Sequence, residues 1–103
     1  MNVKLSVGLN DKDTKHQVFD AFTAENIIYD ILQARKVDSC TMDTARGFYT
    51  DDDGTVVREE TVRVEIAGIT EVMVRIICND IKVALNQESI MVEYVTASNI
   101  MFI

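Results

Sequence analysis

The chain contains no proline, and this absence limits the kinds of segment that it can include. Proline is enriched in linkers and disordered tails, whereas a hydrophobic share of 48% is that of an ordinary folded protein. A chain of 103 residues can bury one hydrophobic core but not two. We therefore expect a single folded domain that covers residues 1–103.

Long apolar runs and export signals are also missing. No run approaches the roughly 20 apolar residues that span a bilayer. The N-terminal residues 1–5 lack the apolar region and the small-residue cleavage site of a signal peptide. We expect a soluble, cytoplasmic protein that does not act at a membrane.

Histidine and cysteine are too few to form a recognisable metal site. His16 is the only histidine, and Cys40 and Cys78, the only cysteines, do not form a CxxC pair. We expect both cysteines to be small buried hydrophobes with reduced thiols; a disulfide between them is the alternative. We expect neither a metal nor a cofactor.

Charge of one sign dominates, because 17 acidic residues face 10 basic ones and give a net charge of −7. Most of this excess lies between Asp51 and Glu93, a part of the chain with ten acids and four bases. Nucleic-acid-binding proteins are normally basic, so direct binding of DNA or RNA is disfavoured. A basic protein surface is the partner that this charge favours.

The rest of the chain is organised around a predicted β-hairpin. Residues 41–50 and 55–66 are rich in β-branched and aromatic residues, and the acidic turn 51–54 joins them. In the second strand Val62, Val64 and Ile66 alternate with polar residues. This alternation predicts a sheet with one buried and one wet face.

Periodicity predicts the remaining elements. Alternating apolar residues indicate a first strand over residues 3–9, and helical spacing indicates a first helix over residues 24–36 with Thr23 as its N-cap. A second helix is predicted from Thr70 and Glu71 to Asn86, and a last strand over residues 88–95; residues 16–22 are not assigned. The apolar stripe of the second helix is predicted to consist of Met73, Ile76, Ile77, Ile81, Ala84 and Leu85.

The resulting order of elements, βαββαβ, predicts a ferredoxin-like α+β sandwich. In that fold a four-stranded antiparallel sheet carries two helices on one face. The alternative is the same plait with the C-terminal tail as a fifth strand. The second face of the sheet is open in both cases.

Three groups of residues carry a resemblance to a known family. They are residues 8–14 near the start, Gly47-Phe48-Tyr49 with Asp53-Gly54 and Val57-Arg58-Glu59 in the hairpin, and residues 85–90 before the last strand. On these residues the chain resembles a family of small ferredoxin-like bacterial, phage and mobile-element proteins of unknown function. The resemblance spans nearly the whole chain; it implies the ferredoxin-like fold and implies no activity.

Acidic residues in and beside the hairpin form the predicted partner-binding surface. Closely spaced carboxylates can satisfy the Lys and Arg side chains of a groove that normally holds phosphates. The acidic turn does not match a calcium loop, because its acids are not at alternate positions and no glutamate stands at the twelfth. The surface is predicted to consist of Asp51, Asp52, Asp53, Glu59, Glu60 and Glu65.

Polar residues in two loops form a second candidate site. They either bind a ligand or brace the first loop against the start of the last strand, across the top of the sheet. The first loop supplies Asn10, Asp11 and Asp13, and the second supplies Gln87 and Glu88.

No residues combine into a recognisable catalytic motif. His16 has no acid or nucleophile at a suitable spacing. The arginines Arg46, Arg58 and Arg63 are expected to pair with hairpin glutamates rather than to clamp a phosphate. We therefore predict that the chain is not an enzyme, and we name no catalytic residue.

The leading functional hypothesis is a small acidic interaction protein. It would inhibit a nucleic-acid-guided nuclease of a bacterial defence system, as an anti-CRISPR protein does, by occupying the basic groove of the nuclease. The alternative is a small-molecule-binding or regulatory ferredoxin-like domain that uses its open sheet face.

An apolar tail ends the chain with Ile100, Met101, Phe102 and Ile103. Exposed apolar patches and open edge strands mark interfaces, and most small oligomers are two-fold dimers. We predict a homodimer in which the tail or the last strand packs against its counterpart; a tail that folds back over its own sheet is the alternative.

Overall fold

The computed structural model describes residues 1–95, 101 and 103. Its elements follow the predicted order βαββαβ, which confirms the α+β fold class. The elements are β1 (Asn2–Gly8), α1 (Ala21–Ala34), β2 (Thr41–Thr50), β3 (Val56–Ile66), α2 (Glu71–Leu85) and β4 (Met91–Val95).

The four strands form one sheet in the order β2-β3-β1-β4, and every neighbouring pair is antiparallel. Leu5 of β1 lies between Val64 of β3 and Val92 of β4, so these residues share one face. The strands β2 and β4 form the two edges of the sheet.

Burial separates the two faces of the sheet. Alternate side chains on β1, and on β3 from Val62 onwards, are almost fully buried, including Leu5 at 1% exposed and Val64 at 0%. Their neighbours Lys4, Arg63 and Glu65 are exposed on the opposite face. Because only one face is buried, both helices cover that face, as the alternation predicts.

Helix α1 begins earlier than the prediction of residues 24–36. Its N-cap is Asp20, whose Oδ1 accepts a 2.7 Å hydrogen bond from the backbone N–H of Thr23. This bond lowers the pKa of the Asp20 carboxyl. Thr23 therefore lies inside the first turn and is not the cap.

Helix α2 begins after Thr70, which caps it as predicted, and ends at Asn86. Asn86 adopts the left-handed conformation with φ of 50°, which short polar side chains tolerate at a helix C-terminus. The predicted apolar stripe includes Ala84, which is exposed, and omits Val74 and Cys78, which are buried. The turn of the helix places Cys78 beside Ile77 and Ile81 on the core side.

The last strand is shorter than predicted, because β4 begins at Met91 rather than at residue 88. Ile100 and Phe102, which belong to the predicted dimer tail, lie outside the described residues. Met101 and Ile103 are exposed. The predicted homodimer and the alternative of a fifth strand stay predictions.

The outer part of the hairpin, residues 46–60, extends past the core as a two-stranded ribbon. β1 pairs with β3 only as far as Thr61, whereas β2 and β3 continue to the pair between Thr50 and Val56. Asp51 closes the turn, since its Oδ1 accepts from the backbone N–H groups of Asp53 and Thr55 at 3.0 and 2.9 Å. Besides this pairing and turn, hydrogen bonds from Leu9 to Glu60 and from Asn10 to Glu59 hold the ribbon to the rest of the protein.

Both cysteines are free thiols; Cys78 is buried as expected, whereas Cys40 is only partly buried. Burial raises the pKa of the Cys40 thiol, and burial raises that of Cys78 with a small opposing effect from Lys82. A raised pKa lowers the fraction of reactive thiolate at neutral pH.

One ion pair joins the C-terminus of α1 to α2. The Nε and Nη2 atoms of Arg35 donate to the two carboxylate oxygens of Asp80 at 2.7 and 3.1 Å. The hydrogen bond from Arg35, aided by its charge, lowers the pKa of the Asp80 carboxyl below its usual 3.8.

Ile77→Ala should destabilise the fold by about 2–5 kcal/mol, because it opens a cavity where a side chain is fully buried. Val83→Ala, on the same helix but 77% exposed, is the matched control and should change the free energy of unfolding by less than about 0.5 kcal/mol. Urea titrations of both variants measure the difference. Equal midpoints for the two variants would show that the helix is rotated relative to this core.

Asp80→Asn should lower the urea midpoint at pH 7 but not at pH 2. A carboxyl whose pKa is lowered by folding contributes stability above its unfolded pKa and loses it as the pH falls through the folded value. Asp38→Asn, which removes an exposed carboxylate, is the control and should leave the midpoint unchanged at both pH values. A deficit of Asp80→Asn that persists at pH 2 would contradict the ion-pair explanation.

Candidate functional site

The candidate site is a cavity of about 590 Å³ at the end of the sheet where β1 leaves the core. Three parts of the chain form its walls: the loop after β1, the hairpin ribbon, and the connection from α2 to β4. Its volume is in the range of small-molecule sites. It is lined by Gly8, Asn10, Asp11, Lys12, Lys15, Tyr49, Asp51, Asp53, Val57, Glu59, Gln87, Glu88 and Ser89.

The loop after β1 is a tight turn built around Asp11. Its Oδ2 accepts hydrogen bonds from the backbone N–H groups of Asp13 and Thr14, both at 3.0 Å. The bond from Thr14 and that from the Asn86 side chain are the main reasons why the pKa of Asp11 is lowered. Lys15 closes the loop in the left-handed region with φ of 64°, an uncommon conformation for a residue other than glycine.

The end of α2 fastens this loop to the rest of the protein. The Nδ2 of Asn86 donates to Oδ1 of Asp11 and to Oδ2 of Asp13, each at 2.9 Å. The Nε2 of Gln87, a residue that is 9% exposed, donates to the backbone oxygen of Asn10 at 3.0 Å. The two loops therefore form one hydrogen-bonded unit.

Glu59 of the ribbon reaches across the end of β1. Its Oε2 accepts a 2.9 Å hydrogen bond from the backbone N–H of Asn10, whose Nδ2 donates to the backbone oxygen of Arg58 at 3.2 Å. A Cβ atom on Gly8 would lie 2.5 Å from the carboxyl carbon of Glu59. The absence of a side chain at Gly8 thus gives the carboxylate its place in the cavity.

The ribbon supplies an aromatic wall. Tyr49 pairs with Val57 across the ribbon, and both line the cavity. Tyr49 is 51% exposed, so part of it is accessible to a ligand. A half-exposed tyrosine beside a carboxylate can stack on a planar ring and accept or donate a hydrogen bond.

The predicted partner-binding acids do not form one surface. Register places Glu59 and Glu65 on the open face of the sheet, whereas Glu60 points to the helix side, where its Oε1 accepts from Gln17 at 2.9 Å. Asp51 holds the turn, and Asp52 and Asp53 are exposed at its tip. The hypothesis of a nuclease inhibitor stays a prediction.

The hairpin arginines do not form the predicted ion pairs with hairpin glutamates. Arg63 pairs with Asp43, which stands directly opposite it on β2, and not with a glutamate of its own strand. This pairing lowers the pKa of Asp43. Arg46 and Arg58 form no ion pair with a described residue; both line a second cavity of about 620 Å³ with Phe48, on the helix side of the ribbon.

The structure brings together the residues predicted as ligand-binding or bracing, since Asn10, Asp11 and Asp13 lie against Gln87 and Glu88. Sequence reasoning did not name Gly8, Lys12, Lys15, Tyr49 or Val57 as site residues, whereas Ser89, the neighbour of Gln87 and Glu88, belongs to the predicted polar stretch. Only the hairpin register, if extended to β1, could have brought Gly8 and Glu59 together.

The described residues offer neither a metal-binding cluster nor a membrane-spanning helix. Among residues 1–95, 101 and 103, no three His, Cys, Asp or Glu side chains are grouped so that they could hold a metal ion. Neither α1 nor α2 is long and apolar enough to cross a membrane.

No family model and no curated protein matches the chain by sequence. Solved structures do match. A phage SAM lyase in complex with S-methyl-5′-thioadenosine superposes with a TM-score of 0.65 at 23% identity, over 88% of this chain and 76% of the lyase. The same kind of enzyme in its apo state gives a TM-score of 0.63 at 24% identity.

A second group of similar structures is CutA1 from Pyrococcus horikoshii OT3. It superposes with a TM-score of 0.61 at 18% identity, over 96% of this chain and 87% of CutA1. The chain thus shares its ferredoxin-like fold with small proteins of phage and microbial origin. The prediction that the chain is not an enzyme is contradicted by this comparison, because its fold neighbours include an enzyme, the phage SAM lyase.

Proposed function

We propose that the chain is a lyase that acts on S-adenosylmethionine (SAM) and releases S-methyl-5′-thioadenosine, with its site in the cavity between the loop after β1 and the hairpin ribbon. The observation that carries the proposal is the Glu59 carboxylate, held beside the cavity by Asn10 and given room by Gly8. The similar phage enzyme supplies the reaction and the ligand.

The two side chains of the ribbon suit the adenosine half of such a ligand. Tyr49 offers a ring face on which adenine can stack. Glu59 has one oxygen, Oε1, without a hydrogen bond to any described residue. A carboxylate in this position can accept from a ribose hydroxyl, as acidic residues do in dinucleotide sites.

The charge of the cavity suits a cationic substrate. Five carboxylates and two lysines line it, in a chain whose net charge is already −7. SAM carries a positive sulfonium in addition to its α-amino acid zwitterion. A field of this sign raises the local concentration of a cationic substrate and its rate of association.

The reaction needs no nucleophile from the protein. The bond between the sulfonium sulfur and Cγ of the amino acid arm breaks, and its electron pair neutralises the sulfur to give the thioether. An oxygen of the arm's own carboxylate forms a bond to Cγ and closes a five-membered lactone. The chain contributes by holding the arm folded with both reacting atoms close together.

Purified protein incubated with SAM should produce S-methyl-5′-thioadenosine and a lactone in equal amounts, as measured by liquid chromatography and mass spectrometry. Glu59→Gln should weaken binding of S-methyl-5′-thioadenosine about tenfold or more in calorimetry, since it removes a charged hydrogen-bond acceptor. Glu65→Gln, on the same strand but away from the cavity, is the control and should bind like the parent. A parent that binds neither compound at millimolar concentration would refute the proposal.

Gly8→Ala should leave the melting temperature within a few degrees of the parent but weaken binding of S-methyl-5′-thioadenosine. The new Cβ would displace the flexible end of Glu59 and break its hydrogen bond to Asn10, and no backbone has to move. Gly47→Ala is the matched control, because a Cβ there meets no atom within 4 Å. Equal affinities for the two variants would remove Glu59 from the binding site.

A further inference from the structure

A third cavity of about 680 Å³, here called the lysine cavity, adjoins the candidate site on the helix side of the loop after β1. Lys12, Lys15 and Lys82 line it, which are three of the five lysines in the chain. Asp13 and Glu88 line the same cavity. The cavity therefore has both basic and acidic lining residues, in a protein whose net charge is −7.

The backbone fixes the positions of these lysines. The N–H of Lys12 donates to the backbone oxygen of Asn86 at 3.0 Å, and Lys15 follows in the left-handed conformation that closes the loop. Lys82 stands in the last turn of α2. The hydrogen bond from Lys12 to Asn86 thus joins the loop to the end of the helix beside the cavity that all three lysines line.

None of the three lysines forms an ion pair with a residue that the structure describes. Lys82 at the C-terminus of α2 interacts favourably with the helix dipole, which accounts for one of them. Lys12 and Lys15 have no such reason to lie near another cation. Like charges that converge beside a cavity favour an anionic group of a ligand.

The two cavities are continuous, because both are lined by Lys12, Lys15, Gln87 and Glu88. We propose that the lysine cavity binds the α-amino acid arm of the substrate: Lys12, Lys15 and Lys82 hold its carboxylate, and Asp13 and Glu88 face its ammonium group. This inference rests on the proposed function, in which the adenosine half lies against Tyr49 and Glu59.

The assignment explains how substrate and product are distinguished. S-methyl-5′-thioadenosine keeps the adenosine half but lacks the arm, so it leaves the lysine cavity without a ligand. One carboxylate oxygen is held by the lysines, and the other stays available to close the lactone ring. The lysines are positioning and specificity residues, and they donate no proton and form no bond in the reaction.

Calorimetry with three ligands tests the assignment. S-adenosylhomocysteine carries the arm but has no sulfonium, so it is not cleaved. SAM carries both the arm and the sulfonium, and S-methyl-5′-thioadenosine lacks the arm. The double variant Lys12→Gln with Lys82→Gln should bind S-adenosylhomocysteine about tenfold or more weakly than the parent, because charge-assisted contacts to its carboxylate are lost. Its affinity for S-methyl-5′-thioadenosine should stay within about twofold of the parent.

Lys4→Gln removes the same charge on the open face of the sheet, far from both cavities, and should bind all three ligands like the parent. If the double variant has a lower melting temperature than the parent, the affinities of the single variant Lys12→Gln for the same ligands are measured instead. In turnover with SAM, the double variant should show a higher KM.

Three outcomes would overturn the assignment. One is a parent that binds S-methyl-5′-thioadenosine but holds S-adenosylhomocysteine no more tightly; the proposed function would then stand while the lysine cavity fails. Another is a double variant that loses affinity for all three ligands equally. A parent that binds none of the three refutes the proposed function and this assignment together.

Discussion

The side-chain amide of Asn86 holds together the two loops on which the candidate site depends. Its Nδ2 donates to Asp11 and Asp13 at 2.9 Å, and its left-handed backbone ends α2 at the same point. Asp11 in turn accepts from the N–H groups that follow it. These hydrogen bonds hold the backbone of the loop, and with it the position of Asn10 beside Glu59 and the position of Lys12.

Sequence pattern predicted most of the fold because period-two alternation on β1 and β3 is a local signal. It failed at the start of α1, where Asp20 and Thr23 are both good N-cap residues and the exposed Phe22 between them gives no apolar periodicity.

The site was predicted in part: polar residues such as Asn10 and Gln87 stand out in loops. Gly8 and Glu59 are 51 positions apart, and only the tertiary register joins them. No sequence motif indicated the proposed catalysis, because the proposed reaction requires no nucleophile and base at a recognisable spacing.

The large acidic excess divides into separate functions once the contacts are known. Asp11, Asp20 and Asp80 are used in the fold, and the pKa of each is lowered by the hydrogen bond that it accepts. Others, such as Glu59, line the candidate cavity. Net charge alone could not separate these groups, because it does not distinguish a carboxylate that caps a helix from one that faces a ligand.

The ribbon beyond Thr61 pairs with no strand other than its own partner, and it carries Tyr49 and Val57 well away from the buried core. The stability of the fold and the proposed ligand binding therefore depend on different residues. Substitutions on the ribbon change the wall of the cavity at little cost to folding, whereas substitutions at Val62 or Val64 do the reverse. Natural selection could thus alter what such a protein recognises, one ribbon position at a time, while the sheet and helices stay as they are.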